Sequence, residues 1–142
     1  KVEIEVSGQP RGKGRPRFTR NGHTYTDAKT KEYEKRIHAA AWQKMRELKL
    51  KPIGKFCHLE LIAFMEIPTS WSKVKQIEAE FGAIKPITKP DLDNIIKAAK
   101  DGISGLDGII LDDKQVTSIN AKKVYCHPER GPVLYICVSW TE

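Results

Sequence analysis

The chain has 142 residues and a formal net charge of +7, with 25 Lys and Arg against 18 Asp and Glu. That length suits one domain able to bury a core, and hydrophobic and charged fractions of 39% and 30% exclude a disordered chain. No apolar run approaches the roughly 18 residues needed to span a membrane, and the excess of cations favours a polyanionic partner, nucleic acid first.

In chain order, Val2, Ile4 and Val6 alternate with polar residues and predict a first strand rather than a signal peptide. The absent initiator Met implies a processed or trimmed start. Residues 8–26, GQPRGKGRPRFTRNGHTYT, carry Arg11, Lys13, Arg15, Arg17 and Arg20 and no acid. Their Gly and Pro content predicts a loop. From about Asp27 to Leu48 the period is helical, with Tyr33, Ile37, Ala40, Ala41 and Leu48 on one stripe. Lys35, Trp42, Arg46 and Lys49 lie on the other side, a solvated face before it is a DNA contact.

FCHLELIAFMEI, residues 56–67, reads as a long strand. It is apolar on both faces and therefore expected to be central. PTSWSKVKQIEAEF predicts a short helix with Ser70 as N-cap, followed by a Pro-punctuated linker from Ala83 to Pro90. A helix carrying Leu92, Ile95, Ile96, Ala99 and Ile103 on its apolar stripe comes next. DDKQVTSINAKKVYC and PVLYICVSW predict two final strands, joined by a turn at HPERG and paired antiparallel. The expected architecture is α+β: a single domain over residues 1–142 with a mixed or antiparallel sheet packed by helices.

The three cysteines, Cys57, Cys126 and Cys137, are odd in number and lack a C-x-x-C spacing, which suits a reducing cytoplasm. Cys57-His58 and Cys126-His127 offer four zinc donors. Neighbours on a strand point to opposite faces, so the expected reading is buried Cys beside surface His.

The chemistry concentrates in KPDLDNIIKAAKD, residues 89–101, and LDDKQV, residues 111–116. Pro90 disfavours helical backbone at Lys89, so the helix should start later. Asp91 and Asp93 lie about 200° apart in a regular helix but share a face in extended chain. Both can serve one point only if the helix starts near Asp93. Bland alternatives exist: Asp is a common N-cap, Asp93, Lys97 and Asp101 could form a surface ion-pair ladder, and Asp112 and Asp113 could make a turn. Taken together, four carboxylates at element boundaries of a basic chain call for a cation. Hard oxygen donors suit Mg²⁺ or Mn²⁺, which activates water and neutralises a phosphate, with Lys97 adding a positive charge.

These residues resemble a known family. D-x-D-N, a Lys three residues after the Asn, an Asp four beyond it and a downstream D-D-x-Q-V look like the signature of RusA-type Holliday junction resolvases. PRGKGRPRF, TYT and KEYEKRI are similar to the phage and Gram-positive branch. The resemblance implies a Mg²⁺-dependent endodeoxyribonuclease, with Mn²⁺ as a substitute. It also implies a homodimer that nicks two opposed strands of four-way junction DNA in recombination and repair. By motif position Asp91, Asp93 and Asp113 are the metal-binding catalytic carboxylates and Lys97 the essential lysine, while the role of Asp112 stays open. Arg11, Lys13, Arg15, Arg17, Arg20 and Lys89 are the candidate DNA contacts, with Phe18 or Tyr25 available to stack on an exposed base. The expected location is the cytoplasm of a bacterium, encoded by it or by a phage, with no membrane contact. Two other classes remain: a nucleic-acid-binding module without catalysis, and a metal nuclease acting on flaps, other branched DNA or RNA.

Overall fold

Beginning at its amino terminus, a computed structural model describes residues 1–14, 17–25 and 28–142, excepting the side chains of Arg17, Phe18, Thr24 and Tyr25. β1 (Val2–Ser7) buries Val2, Ile4 and Val6 and exposes the residues between them, as the alternation predicts. Two paired two-residue strands, β2 (Arg17–Phe18) and β3 (Thr24–Tyr25), interrupt the basic segment expected to be all loop. Their turn closes with Gly22 N–H donating to the Thr19 carbonyl at 3.0 Å, Gly22 having φ 78°.

α1 (Ala28–Glu47) buries Tyr33, Ile37, Ala41 and Met45, one residue per turn. Leu48, expected on that stripe, falls beyond the helix end and is 46% exposed, and Met45 fills the core position. β4 (Cys57–Met65) buries Cys57, Leu59, Leu61, Ala63 and Met65. α2 (Lys73–Glu80) is capped by Ser72, not Ser70: the Ser72 hydroxyl accepts the Lys75 N–H at 3.3 Å. α3 (Leu92–Ile103) buries Ile95, Ala98, Ala99 and Ile103. A single 3₁₀ turn (Asp113–Gln115) precedes β5 (Val116–Tyr125), and β6 (Val133–Ser139) ends the fold.

The four-stranded sheet runs β1-β6-β4-β5, antiparallel except for the parallel β4–β5 pair. This confirms an α+β fold with a mixed sheet, and β4 is internal as predicted. It corrects one expectation: β5 and β6 are not neighbours, because β4 lies between them. Composition explains the order. β6 is VLYICVS, with five of its seven residues buried, so it belongs inside the sheet. β5 exposes Thr117, Ser118, Ile119 and Asn120 in a row, the pattern of an edge strand.

α1 packs on β1 and on α3, and α3 packs on β5. Gly102 permits the helix crossing, since a Cβ there would lie 2.6 Å from the Ile37 Cβ. The three cysteines are free and buried, and among the described residues no helix is long and apolar enough to cross a membrane.

Candidate active site at the start of α3

Pro90 leads into Asp91 in extended conformation (φ −65°, ψ 145°), and the helix begins at Leu92, one residue ahead of Asp93. Asp91 is the N-cap by position, its carbonyl accepting from Asn94 N at 3.1 Å and Ile95 N at 3.2 Å. Its side chain makes no capping bond. The carboxylate is therefore not explained as a cap, and it stands exposed with Asp93 in the first turn behind it.

The ion-pair ladder does not form either. Asp101 is taken by Lys13, whose Nζ bonds its carboxylate and lies 3.4 Å from Glu34 Oε1. Lys97 is exposed one turn beyond Asp93, and no ion pair joins them among the described residues. Asp91, Asp93 and Lys97 thus present three exposed charges at one helix end, with no ion pair among the described residues.

Two devices hold that end. The first is Lys123 on β5, whose ammonium donates to the Thr88 carbonyl at 2.7 Å and the Pro90 carbonyl at 2.9 Å. It clamps the backbone immediately before Asp91. The second is the 9–14 loop, which lies against α3 with Lys13 N–H donating to the Asn94 carbonyl at 2.9 Å. Gly12 makes this approach possible: a Cβ there would sit 2.8 Å from Asn94 Cβ and 3.0 Å from Pro90 Cβ. Sequence reading missed both. Gly12 was visible only as one more loop glycine, and Lys123 only as one lysine in an edge strand.

The loop and Pro90 frame two shallow clefts. One, of about 440 Å³, is lined by Lys13, Lys89, Pro90, Asp91 and Asn94. The other, of about 330 Å³, is lined by Gln9, Arg11, Lys29 and Lys89. Lys13 and Lys89 thus share a cleft with Asp91. A larger groove of about 600 Å³ at the β1 edge holds none of the motif acids; its Glu5 pairs with Arg130 and its Glu3 with Tyr135.

The candidate DNA contacts divide. Lys89 lines both clefts, including the one at Asp91, and Arg11 lines the other. Arg20 is exposed at the β2–β3 turn. Lys13 is committed inside the fold to Asp101, which raises its pKa, so its evident role is to anchor the loop. Arg15 and the side chains of Arg17, Phe18 and Tyr25 lie outside the described residues.

The second acidic motif is organised differently. Asp112 accepts the Lys114 N–H at 2.9 Å, and Gln115 Oε1 accepts the Asp112 N–H at 2.8 Å, closing a capping box. The Lys114 N–H holds the Asp112 carboxyl below the usual carboxylate range. Gln115 Nε2 donates to the Ile53 and Lys55 carbonyls, each at 2.8 Å. Asp112 is a cap and Gln115 a strut, and the pair presents the half-buried Asp113.

Asp113 does not join Asp91 and Asp93 within one chain. Asp91 lies at the N-terminal end of α3, whereas the Ile103 carbonyl at the other end accepts from Ile109 and Ile110, just before Asp113. A 12-residue helix is ~18 Å long. β5 agrees: Lys123 reaches Pro90 near one end of the strand, and Asp113 precedes the other end, with Val116 and Lys123 ~23 Å apart. Accordingly, among the described residues no three His, Cys, Asp or Glu side chains are grouped to hold a metal.

Exposed acids at the start of α3, with Lys13 and Lys89 lining the cleft at Asp91, suit a site that handles a polyanion. Residues 7–134 match the family described as Endodeoxyribonuclease RusA, and the chain belongs to that family. It is also 33% identical over 144 residues to "Uncharacterized protein YqaN" of Bacillus subtilis (strain 168), with 97% of each chain covered. The family consists of divalent-metal-dependent nucleases acting on junction DNA.

Proposed function

We propose that this protein is a Mg²⁺-dependent, structure-selective endodeoxyribonuclease that resolves four-way DNA junctions in the cytoplasm, as a homodimer, by paired symmetric nicks. The observation that carries the reading is the exposed Asp91 and Asp93, without a side-chain capping bond at Asp91 or an ion pair among the described residues, with Lys13 and Lys89 lining the cleft at Asp91. The donor chemistry fits the ion: Mg²⁺ commonly uses one or two carboxylates, keeps several waters and shares substrate phosphates. Bound there, Mg²⁺ (or Mn²⁺) supplies Lewis acidity toward the phosphate and lowers the pKa of an attacking water.

The chain's own residues do the rest. Asp91 and Asp93 hold the ion's position at the start of α3. Lys97, one turn in, sets an ammonium where negative charge grows on the scissile phosphate. Arg11 and Lys89 bind flanking phosphates, and Lys13, Gly12 and Lys123 keep these groups in register.

The distance between Asp113 and the α3 acids favours a site shared between subunits. Asp113 of the partner subunit, not the chain's own, then completes the carboxylate set. The reading is tested on synthetic four-way junctions, flaps, duplex and RNA, with Mg²⁺ and with EDTA. Junction cutting that EDTA abolishes is expected, and Asp93→Asn should bind the junction without cutting it. Metal-independent cutting, or cutting by Asp93→Asn at the unmodified rate, refutes the proposal. Equal cutting of flaps or RNA replaces it by the broader nuclease reading, and a protein that binds without cutting is a non-catalytic module.

A further inference from the structure

α1 and α3 start beside the same cleft and run away from it together. Lys29 and Thr30 of α1 line that cleft with Lys89 and Pro90, just ahead of α3. At the far end of α3, His38 Nδ1 lies 3.2 Å from the Gly102 carbonyl oxygen, and Gly102 meets Ile37. Between these points Lys31, Glu34, Lys35 and His38 fall at i, i+3, i+4 and i+7, one stripe of α1. The stripe lines a further cleft of about 270 Å³ with Asp101 and Gly102. The two acids of this cleft are answered from inside the fold. The Lys13 ammonium bonds Asp101 and lies 3.4 Å from Glu34 Oε1, an atom that is itself buried. The two outer cations are not answered. Lys31 and Lys35 are exposed and make no ion pair among the described residues, although Glu34 and Glu32 stand three residues from them. Three lysines thus meet two carboxylates here, and the unpaired lysines are the outward ones.

We propose that Lys31 and Lys35 hold the phosphate backbone of one duplex arm, within about five base pairs of the phosphate at Asp91 and Asp93, and so fix the direction in which that arm leaves the site. They are positioning residues, remote from the reacting atoms. The occupant follows from charge and distance. On a chain of net charge +7, unpaired exposed ammonium groups attract a polyanion. Lys97, exposed one turn beyond Asp93, begins the row, and the 12 residues of α3 carry it ~18 Å to the crossing at His38. Duplex DNA rises about 3.4 Å per base pair, so that length spans about five. Arg11 and Lys89 serve the near end of the row, Lys31 and Lys35 the part beyond it. Lysine is a point charge on a flexible stem, so these contacts read no bases and set only register and orientation.

This inference rests on the junction-binding reading above, and its readout is binding rather than cutting, so the two fail separately. Affinity of the full-length protein for a synthetic four-way junction is measured in EDTA across a salt series. Lys31→Gln with Lys35→Gln should reduce the slope of log affinity against log salt by about two in magnitude, with the melting temperature unchanged. The charge-matched control Lys1→Gln with Lys44→Gln, whose lysines pair with Glu3 and Glu47, should keep the parent's slope. Neutral methylphosphonate linkages, moved in windows along each arm, locate the contact. One window within about five base pairs of the nick mapped with Mg²⁺ should weaken the parent several-fold and the double variant not at all. An unchanged slope, an equal change in the control, or a window that weakens parent and variant alike overturns the arm contact. A parent that binds the junction without cutting it overturns the nuclease and leaves the contact standing, read then from the slope and the window alone. A parent that binds no junction overturns both.

Discussion

Whether the acids meet within a chain or between chains is decided by mixing two inactive proteins. Asp93→Asn removes an acid at one end of α3, and Asp113→Asn removes the acid near the other, ~18 Å away along the helix. Ligand bonds to Mg²⁺ are ~2.0–2.1 Å, so no side-chain rotation lets both residues of one chain serve one ion. If each site draws Asp113 from the partner, a mixed dimer has one site with both defects and one with none. Random exchange makes half the dimers mixed, so the mixture should recover about a quarter of the unmodified site count. Each mixed dimer can nick only one strand. The assay follows an end-labelled four-way junction, and native mass spectrometry verifies subunit exchange. Singly nicked product from the mixture, with none from either variant alone, is the expected result. Verified mixed dimers without recovered cutting refute the shared site, and full cutting by Asp113→Asn alone removes that residue from the site.

Lys123→Met removes two charge-assisted hydrogen bonds to the Thr88 and Pro90 carbonyls, and at its partly exposed position should weaken the α3 start by about 1–2 kcal/mol. Faster hydrogen exchange at Asn94 and Ile95 and roughly tenfold slower cutting are expected, with Lys123→Arg restoring part of both; exchange rates equal to the parent's would refute the clamp. Lys13→Gln and Arg11→Gln should differ in kind. The first loses the anchor to Asp101 and lowers the melting temperature. The second leaves melting unchanged and reduces the salt dependence of junction binding by about one ion; the reverse outcome in a melting and salt-titration series would exchange their roles. Burial raises the Tyr33 phenol from 10.0 to about 12. The folded state disfavours phenolate, so this stabilisation is whole below pH 10.0 and is lost as pH climbs from there toward 12. Urea midpoints should therefore fall more steeply over that range in the parent than in Tyr33→Phe, and parallel curves would refute the assignment.

What could be read from the chain, and what could not, follows the range of the interactions involved. α3 was legible because its determinants are local: Pro90 sets extended backbone before the helix, and Leu92, Ile95, Ile96, Ala99 and Ile103 set its buried face. The alternation in β1 and the cores of α1 and β4 were legible for the same reason. The β5–β6 pairing was misread because a turn between two strands does not say which third strand enters between them. The signal was present in composition, since VLYICVS is an interior strand and TSINAKK an edge. The cations of residues 8–20 looked equivalent because the acid that claims Lys13 is 88 residues away. Asp113 posed the opposite problem. It stands 20 residues after Asp93, close enough in the chain to look like the same site, but a rigid helix fills most of that interval and carries the two apart. A motif that reads as one cluster in sequence is thus held as two separate groups in the fold, a helix length apart.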